Sequence, residues 1–100
     1  MELKKSATAG TTESGDLSVT IRPNAGKGIQ IAINSSVSAI FGDAIEATAR
    51  EVLAEFGVEN ADLSIIDKGA LDFAIRARLQ TAICRAAEIR YDWRKDDPNG

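Results

Sequence analysis

The sequence predicts an α+β domain: a small sheet of about three strands with two helices on one face, in the order β-β-α-β-α. Three observations carry that prediction. Apolar and polar residues alternate twice before residue 34, which is the period of half-buried strands. The apolar spacing then changes to three and four residues between 37 and 56. A short β-branched run and a second helical stripe follow. The chain of 100 residues suits a single core, and with 5% aromatic residues that core is built mainly from Ile, Val, Leu and Ala.

Residues 1–16 are rich in Ser, Thr, Ala and Gly and show no sustained periodicity, so they are expected to form a flexible or loosely docked segment. Leu17, Val19 and Ile21 alternate with Ser18, Thr20 and Arg22, and Ile29, Ile31 and Ile33 alternate again. Between them lies Pro23-Asn24-Ala25-Gly26-Lys27-Gly28, dense in turn formers, so the two runs read as an antiparallel hairpin.

Val37, Ile40, Phe41, Ala44, Ile45, Thr48, Val52, Leu53 and Phe56 mark one face of a long helix. Ser35 or Ser36 suits its N-cap, and Gly57 suits the left-handed residue after its end. Gly42 lies inside this helix, where it costs about 1 kcal/mol relative to Ala, and is expected to permit close packing on the sheet. Leu63-Ser64-Ile65-Ile66 reads as the third strand, with Asp67-Lys68-Gly69 as a turn. Leu71, Ala74, Ile75, Leu79, Ala82, Ile83 and Ala86 mark the second helix, and Asp72 and Arg85 complement its dipole. The domain is thus expected over 17–88, with a tail over 89–100 that Tyr91 or Trp93 anchors.

Composition removes several kinds of chemistry. There is no histidine, hence no Ser/His or Cys/His dyad and no neutral imidazole ligand. The net charge is −3 and the basic residues are scattered, which disfavours nucleic-acid binding. The single cysteine, Cys84, reads as a small buried hydrophobe, has no partner for an internal disulfide, and fits a reduced, cytoplasmic setting. The first ten residues lack the apolar stretch of a signal peptide, and no run reaches the length of a membrane span.

Asp43, Glu46, Arg50, Glu51 and Glu55 read as a solvated helix face, with Glu46 and Arg50 paired at i,i+4. Asp96-Asp97 lacks the other oxygen ligands of a calcium loop, so no metal site is expected. Arg76 and Arg78 have two readings. They cover the edge of the buried face with their stems, or they present guanidinium forks to a partner's carboxylate or to phosphate. From the residues alone, Glu13-Ser14-Gly15-Asp16 is a polar turn before a strand.

Ala9-Gly10-Thr11-Thr12-Glu13-Ser14-Gly15-Asp16 is similar to the modification segment of the citrate lyase acyl carrier (gamma) subunits. Ile33-Asn34-Ser35-Ser36-Val37, Phe41-Gly42-Asp43-Ala44-Ile45, Asp67-Lys68-Gly69-Ala70-Leu71-Asp72 and Ile75-Arg76-Ala77-Arg78-Leu79 resemble later signatures of that family, in register from about residue 5 to 90. The resemblance implies a carrier without catalytic residues of its own. Ser14 would hold a 2'-(5''-phosphoribosyl)-3'-dephospho-CoA group through a phosphodiester, and the prosthetic thiol would carry the acetyl and citryl thioesters. It further implies an alpha subunit for acyl transfer, a beta subunit for citryl cleavage and a prosthetic-group transferase as partners. The carrier subunit of malonate decarboxylase is the alternative, and a small interaction or RNA-binding module the alternative of another class. The four-helix acyl carrier fold is not expected, because no Asp-Ser-Leu opens a helix here.

Overall fold

The computed structural model describes residues 1–35 and 40–89, with only the backbone of Ile40 and Phe41. Its elements are β1 (Ala7–Gly10), β2 (Leu17–Arg22), β3 (Ile29–Ser35), α1 (Ile40–Glu55), β4 (Ala61–Asp67) and α2 (Asp72–Ala86). The strands form one sheet in the order β1-β2-β4-β3. The α+β class, the two helices and the absence of a four-helix bundle agree with the sequence reading.

Two features differ from it. A fourth strand, β1, lies inside the stretch expected to be loosely docked, and it pairs antiparallel with β2 from Ala7↔Ile21 to Gly10↔Ser18. Its Ala-Thr-Ala-Gly composition carries little strand propensity, and backbone pairing and the cover of α2 hold it instead. The expected hairpin of residues 17–33 is also corrected. β2 and β3 do not pair; β4 lies between them, antiparallel to β2 and parallel to β3. The connection over 23–28 reaches roughly 20 Å when extended, enough to cross two strand spacings of about 5 Å each.

Both helices pack on the apolar face of this sheet. Leu17, Val19 and Ile21 of β2 and Leu63 and Ile65 of β4 meet Val52 and Leu53 of α1 and Leu79 and Ile83 of α2, all fully buried. Each such side chain contributes roughly 1.5–3 kcal/mol of transfer free energy. The edge-strand residues Ile29, Ile31 and Ile33 are half-buried against the same cluster. Strand alternation puts Thr8, Ser18, Thr20, Ala32, Asn34 and Ser64 on the opposite face.

Helix α1 ends as its sequence predicts. Gly57 takes φ +67°, its N–H donates to the Ala54 carbonyl at 3.0 Å, and the Val58 N–H reaches the Leu53 carbonyl at 2.9 Å. That is a Schellman closure with Val58 and Leu53 both buried. A Cβ placed on Gly42 meets no atom of the described residues within 4 Å, so none of those neighbours requires glycine there. Ser35 lies at the end of β3, where its Oγ donates to Asp67 Oδ2 at 2.9 Å. Ser36 and Val37, with the rest of residues 36–39, the tail with Tyr91 and Trp93, and Asp96-Asp97 lie outside the described residues. Cys84 is buried, which pushes its thiol pKa up and agrees with the hydrophobe reading.

Candidate functional site: the Ser14 turn

Ser14 sits in the turn that closes the β1–β2 hairpin, and it is exposed. The turn begins at Gly10, whose φ of +88° suits glycine, and a Cβ there would overlap the Leu17 carbonyl oxygen. Across the hairpin the Thr11 N–H donates to that same carbonyl at 3.1 Å. The Asp16 N–H donates to the Glu13 carbonyl at 3.1 Å, which folds Ser14 and Gly15 into the tip. A second loop grips the turn from the side. The Gly15 N–H donates to the Lys68 carbonyl at 2.7 Å, and the Lys68 N–H returns to the Asp16 carbonyl at 2.9 Å.

The Asp16 carboxylate ties this turn to α2. Arg78 donates to it twice, Nε to Oδ1 at 3.1 Å and Nη2 to Oδ2 at 2.9 Å. The Thr11 hydroxyl donates to Oδ2 and the Leu17 N–H to Oδ1, each at 2.8 Å. These bonds stabilise the ionised form, Arg78 foremost, then Thr11 and Leu17, and lower the Asp16 pKa to about 2. Thr11 works twice, because its hydroxyl also accepts the Glu13 N–H at 3.2 Å. The Ser14 hydroxyl, by contrast, engages no partner among the described residues, and a Cβ on Gly15 would meet nothing within 4 Å. The serine therefore projects from a held backbone onto open ground.

Arg76 serves a different part of the molecule. Its Nε lies 3.0 Å from Asp72 Oδ2, its Nη2 3.0 Å from Glu51 and its Nη1 3.6 Å from Glu55. This cluster bridges α2 to α1, and Asp72, followed by Glu51, raises the Arg76 pKa. The Asp72 pKa is lowered, first by the Thr48 hydroxyl at 2.9 Å and then by Arg76. Glu51 and Glu55 thus do more than solvate a helix face, while Glu46 and Arg50 form the expected exposed pair at 3.3 Å. Of the residues singled out in the sequence, Arg78 binds Asp16, two residues from Ser14, while Arg76 joins α2 to α1. The residue missed was Asp16, which lies 62 positions from Arg78 and looked like any turn carboxylate.

The arrangement presents a primary hydroxyl at an exposed hairpin tip, with no hydrogen-bond partner and no cluster of metal-ligating side chains among the described residues. The open sheet face carries no aromatic side chain among the described residues and so lacks a base-stacking platform. A family described as ACP, malonate decarboxylase delta subunit (MdcD), matches residues 4–86. The fold is also that of a chain in the crystal structure of a Pseudomonas malonate decarboxylase hetero-tetramer in complex with malonate. That likeness has a TM-score of 0.66 at 22% identity and covers 83% of this chain and 84% of the other. The chain is therefore a member of this acyl carrier family.

Within it, the similarity to citrate lyase acyl carrier proteins is high. The chain is 46% identical to that of Streptococcus equi subsp. equi, over 97% of this chain and 96% of the relative. It is 50% identical to that of Lactococcus lactis, over 90% and 93%. It is 51% identical to that of Klebsiella pneumoniae, over 88% and 91%. The protein belongs to the citrate lyase acyl carrier protein family.

Proposed function

We infer that this chain is the acyl carrier subunit of a citrate lyase, a non-catalytic cytoplasmic subunit that carries its acyl group on a prosthetic group joined to Ser14. The observation that carries the reading is the exposed, unengaged Ser14 hydroxyl at the tip of a held hairpin. The residues fit a phosphoribosyl-dephospho-CoA group attached by a phosphodiester. A primary alcohol is the right nucleophile for phosphorus, Gly15 leaves room beside it, and nothing in the described structure covers the tip. When bound, the group supplies a thiol that holds the acyl unit as a thioester.

The chain's own part is to present that group. Backbone bonds to Lys68 and the Arg78–Asp16 fork hold the turn against the domain, so little of the swing between partner sites comes from the polypeptide. Tethering keeps the acyl unit at high effective concentration near each partner. Leu71 and Phe73, 64% and 72% exposed, open α2 just beyond Lys68. They offer apolar surface to an alpha subunit, beta subunit or prosthetic-group transferase. Arg78 is the better candidate for contact with a phosphate, being close to the Ser14 turn and 43% exposed. Three carboxylates around Arg76 make that site unfavourable for an anion.

Reconstitution tests this reading. Loaded wild-type chain mixed with alpha and beta subunits is expected to cleave citrate to oxaloacetate and acetate, and Ser14→Ala treated in the same way to give no cleavage. Cleavage by the Ala variant would remove Ser14 from the role. Activity with malonate decarboxylase subunits in place of citrate lyase subunits would favour the alternative carrier.

A further inference from the structure

The carrier reading requires only that Ser14 be exposed, yet the structure invests a dense set of bonds in the backbone around it. The Asp16 carboxylate accepts from both prongs of Arg78, from the Thr11 hydroxyl and from the Leu17 N–H, so four donors fix one side chain. Its side chain is 16% exposed, and the fork is the two-point geometry that gives Arg–carboxylate pairs their directional specificity. Asp16 lies two residues from Ser14, and its backbone bonds both to Glu13 and to Lys68. Holding Asp16 therefore holds both sides of the tip. No apolar contact of Ser14 or Gly15 explains the arrangement, since both are exposed.

We propose that Asp16 and Arg78, with Thr11 as support, are positioning residues for the modification of Ser14: they fix the turn in the conformation that the prosthetic-group transferase engages. The proposal rests on Ser14 as the attachment point and adds what holds the turn around that serine in place. Thr11, Thr12 and Ser14 all lie in the same loop, but Thr11 is hydrogen-bonded to Asp16 while Ser14 stands at the tip.

In the modification step the Ser14 Oγ forms a new bond to the phosphorus of a phosphoanhydride donor. The bond from that phosphorus to the leaving phosphate breaks and its electron pair departs with the leaving group. The hydroxyl proton passes to a base of the transferase. No described side chain of this protein is hydrogen-bonded to the Ser14 hydroxyl to take that proton. What the chain supplies is orientation, because a nucleophile displaced by about 1 Å loses up to about a hundredfold in rate.

The test uses the full-length chain as substrate for the transferase and its donor, with initial rates of adduct formation read by intact mass. Arg78→Gln removes the fork, Arg78→Lys keeps the charge but loses the two-point geometry, and Thr11→Val removes an exposed support without touching the core. Melting curves identify the variants folded at the assay temperature. The expected order of kcat/KM is wild type, then Thr11→Val, then Arg78→Lys, then Arg78→Gln, with the last lowered about tenfold or more. The loss is expected mainly in kcat, the signature of a misplaced nucleophile. A purely structural role would leave the folded fraction reacting at the wild-type rate. Wild-type kinetics in folded Arg78→Lys and Thr11→Val overturn the proposal, even where Arg78→Gln does not fold. Ser14→Ala is run alongside. An adduct on that variant sinks the attachment reading itself, whereas an unmodified Ser14→Ala beside normally modified Arg78 variants sinks only the positioning role.

Discussion

Arg76 and Arg78 stand two residues apart on α2 and hold different regions of the molecule by different physics. On one side, Arg78 closes a two-point fork on Asp16, whose side chain is 16% exposed and which two further donors also engage. On the other, Arg76 spreads over three carboxylates whose side chains are 48–64% exposed, one of its contacts reaching 3.6 Å. The first arrangement holds one carboxylate in one geometry, and a loop with it. The second is a screened network joining two helices that the core already joins. Charge pairing near a helix thus says little until burial and the number of directed bonds are known.

This comparison can be broken from several sides. The largest effect on stability is expected from Gly10→Ala, which places a methyl against the Leu17 carbonyl at positive φ. Denaturant melts are expected to show a loss of about 2 kcal/mol or more, since strain of this kind costs roughly 1–3 kcal/mol before the overlap is counted.

Acid should separate the two regions next. The Asp16 pKa is lowered from 3.8 to about 2 in the folded state. Its stabilisation is therefore present above pH ~4 and is lost as pH falls through ~2, with at most about 2 kcal/mol at stake. Asp16→Asn is expected to flatten that part of the stability–pH curve. An unchanged acid limb in the variant would deny Asp16 its special environment.

Gly42→Ala is expected to raise the free energy of unfolding by up to about 1 kcal/mol in denaturant melts, because the added methyl meets no described neighbour. A destabilised variant would mean that the position is packed. The smallest effect belongs to the Arg76 network. Arg76→Gln should lower stability slightly at low salt and not at all at high salt, where exposed pairs are screened. A salt-independent loss would put Arg76 on a par with Arg78 and erase the contrast.

Much of the fold was legible because it rests on local periodicity. Alternation in 17–22 and 29–33 and the helical stripes through Val52 and Leu79 report which face each element buries, and those faces meet as expected. Strand order was not legible. The turn formers of 23–28 suit a hairpin and equally suit a connection that steps over β4, and the choice is made by where β4 finds its partners. β1 escaped notice because two alanines and a glycine leave no apolar signal, although Ala9 is buried. The site divides in the same way. Ser14 carries no mark of its own and was singled out only by resemblance to a family. The Asp16–Arg78 fork joins residues 62 positions apart, and no local pattern announces such a pair.

The most direct test of Ser14 as the attachment point is the intact mass of the chain recovered from an active citrate lyase complex, wild type beside Ser14→Ala expressed with the same modifying enzymes. The wild-type chain is expected to carry a coenzyme-sized adduct that Ser14→Ala lacks. An unmodified wild-type chain in an active complex, or the same adduct on Ser14→Ala, would contradict it.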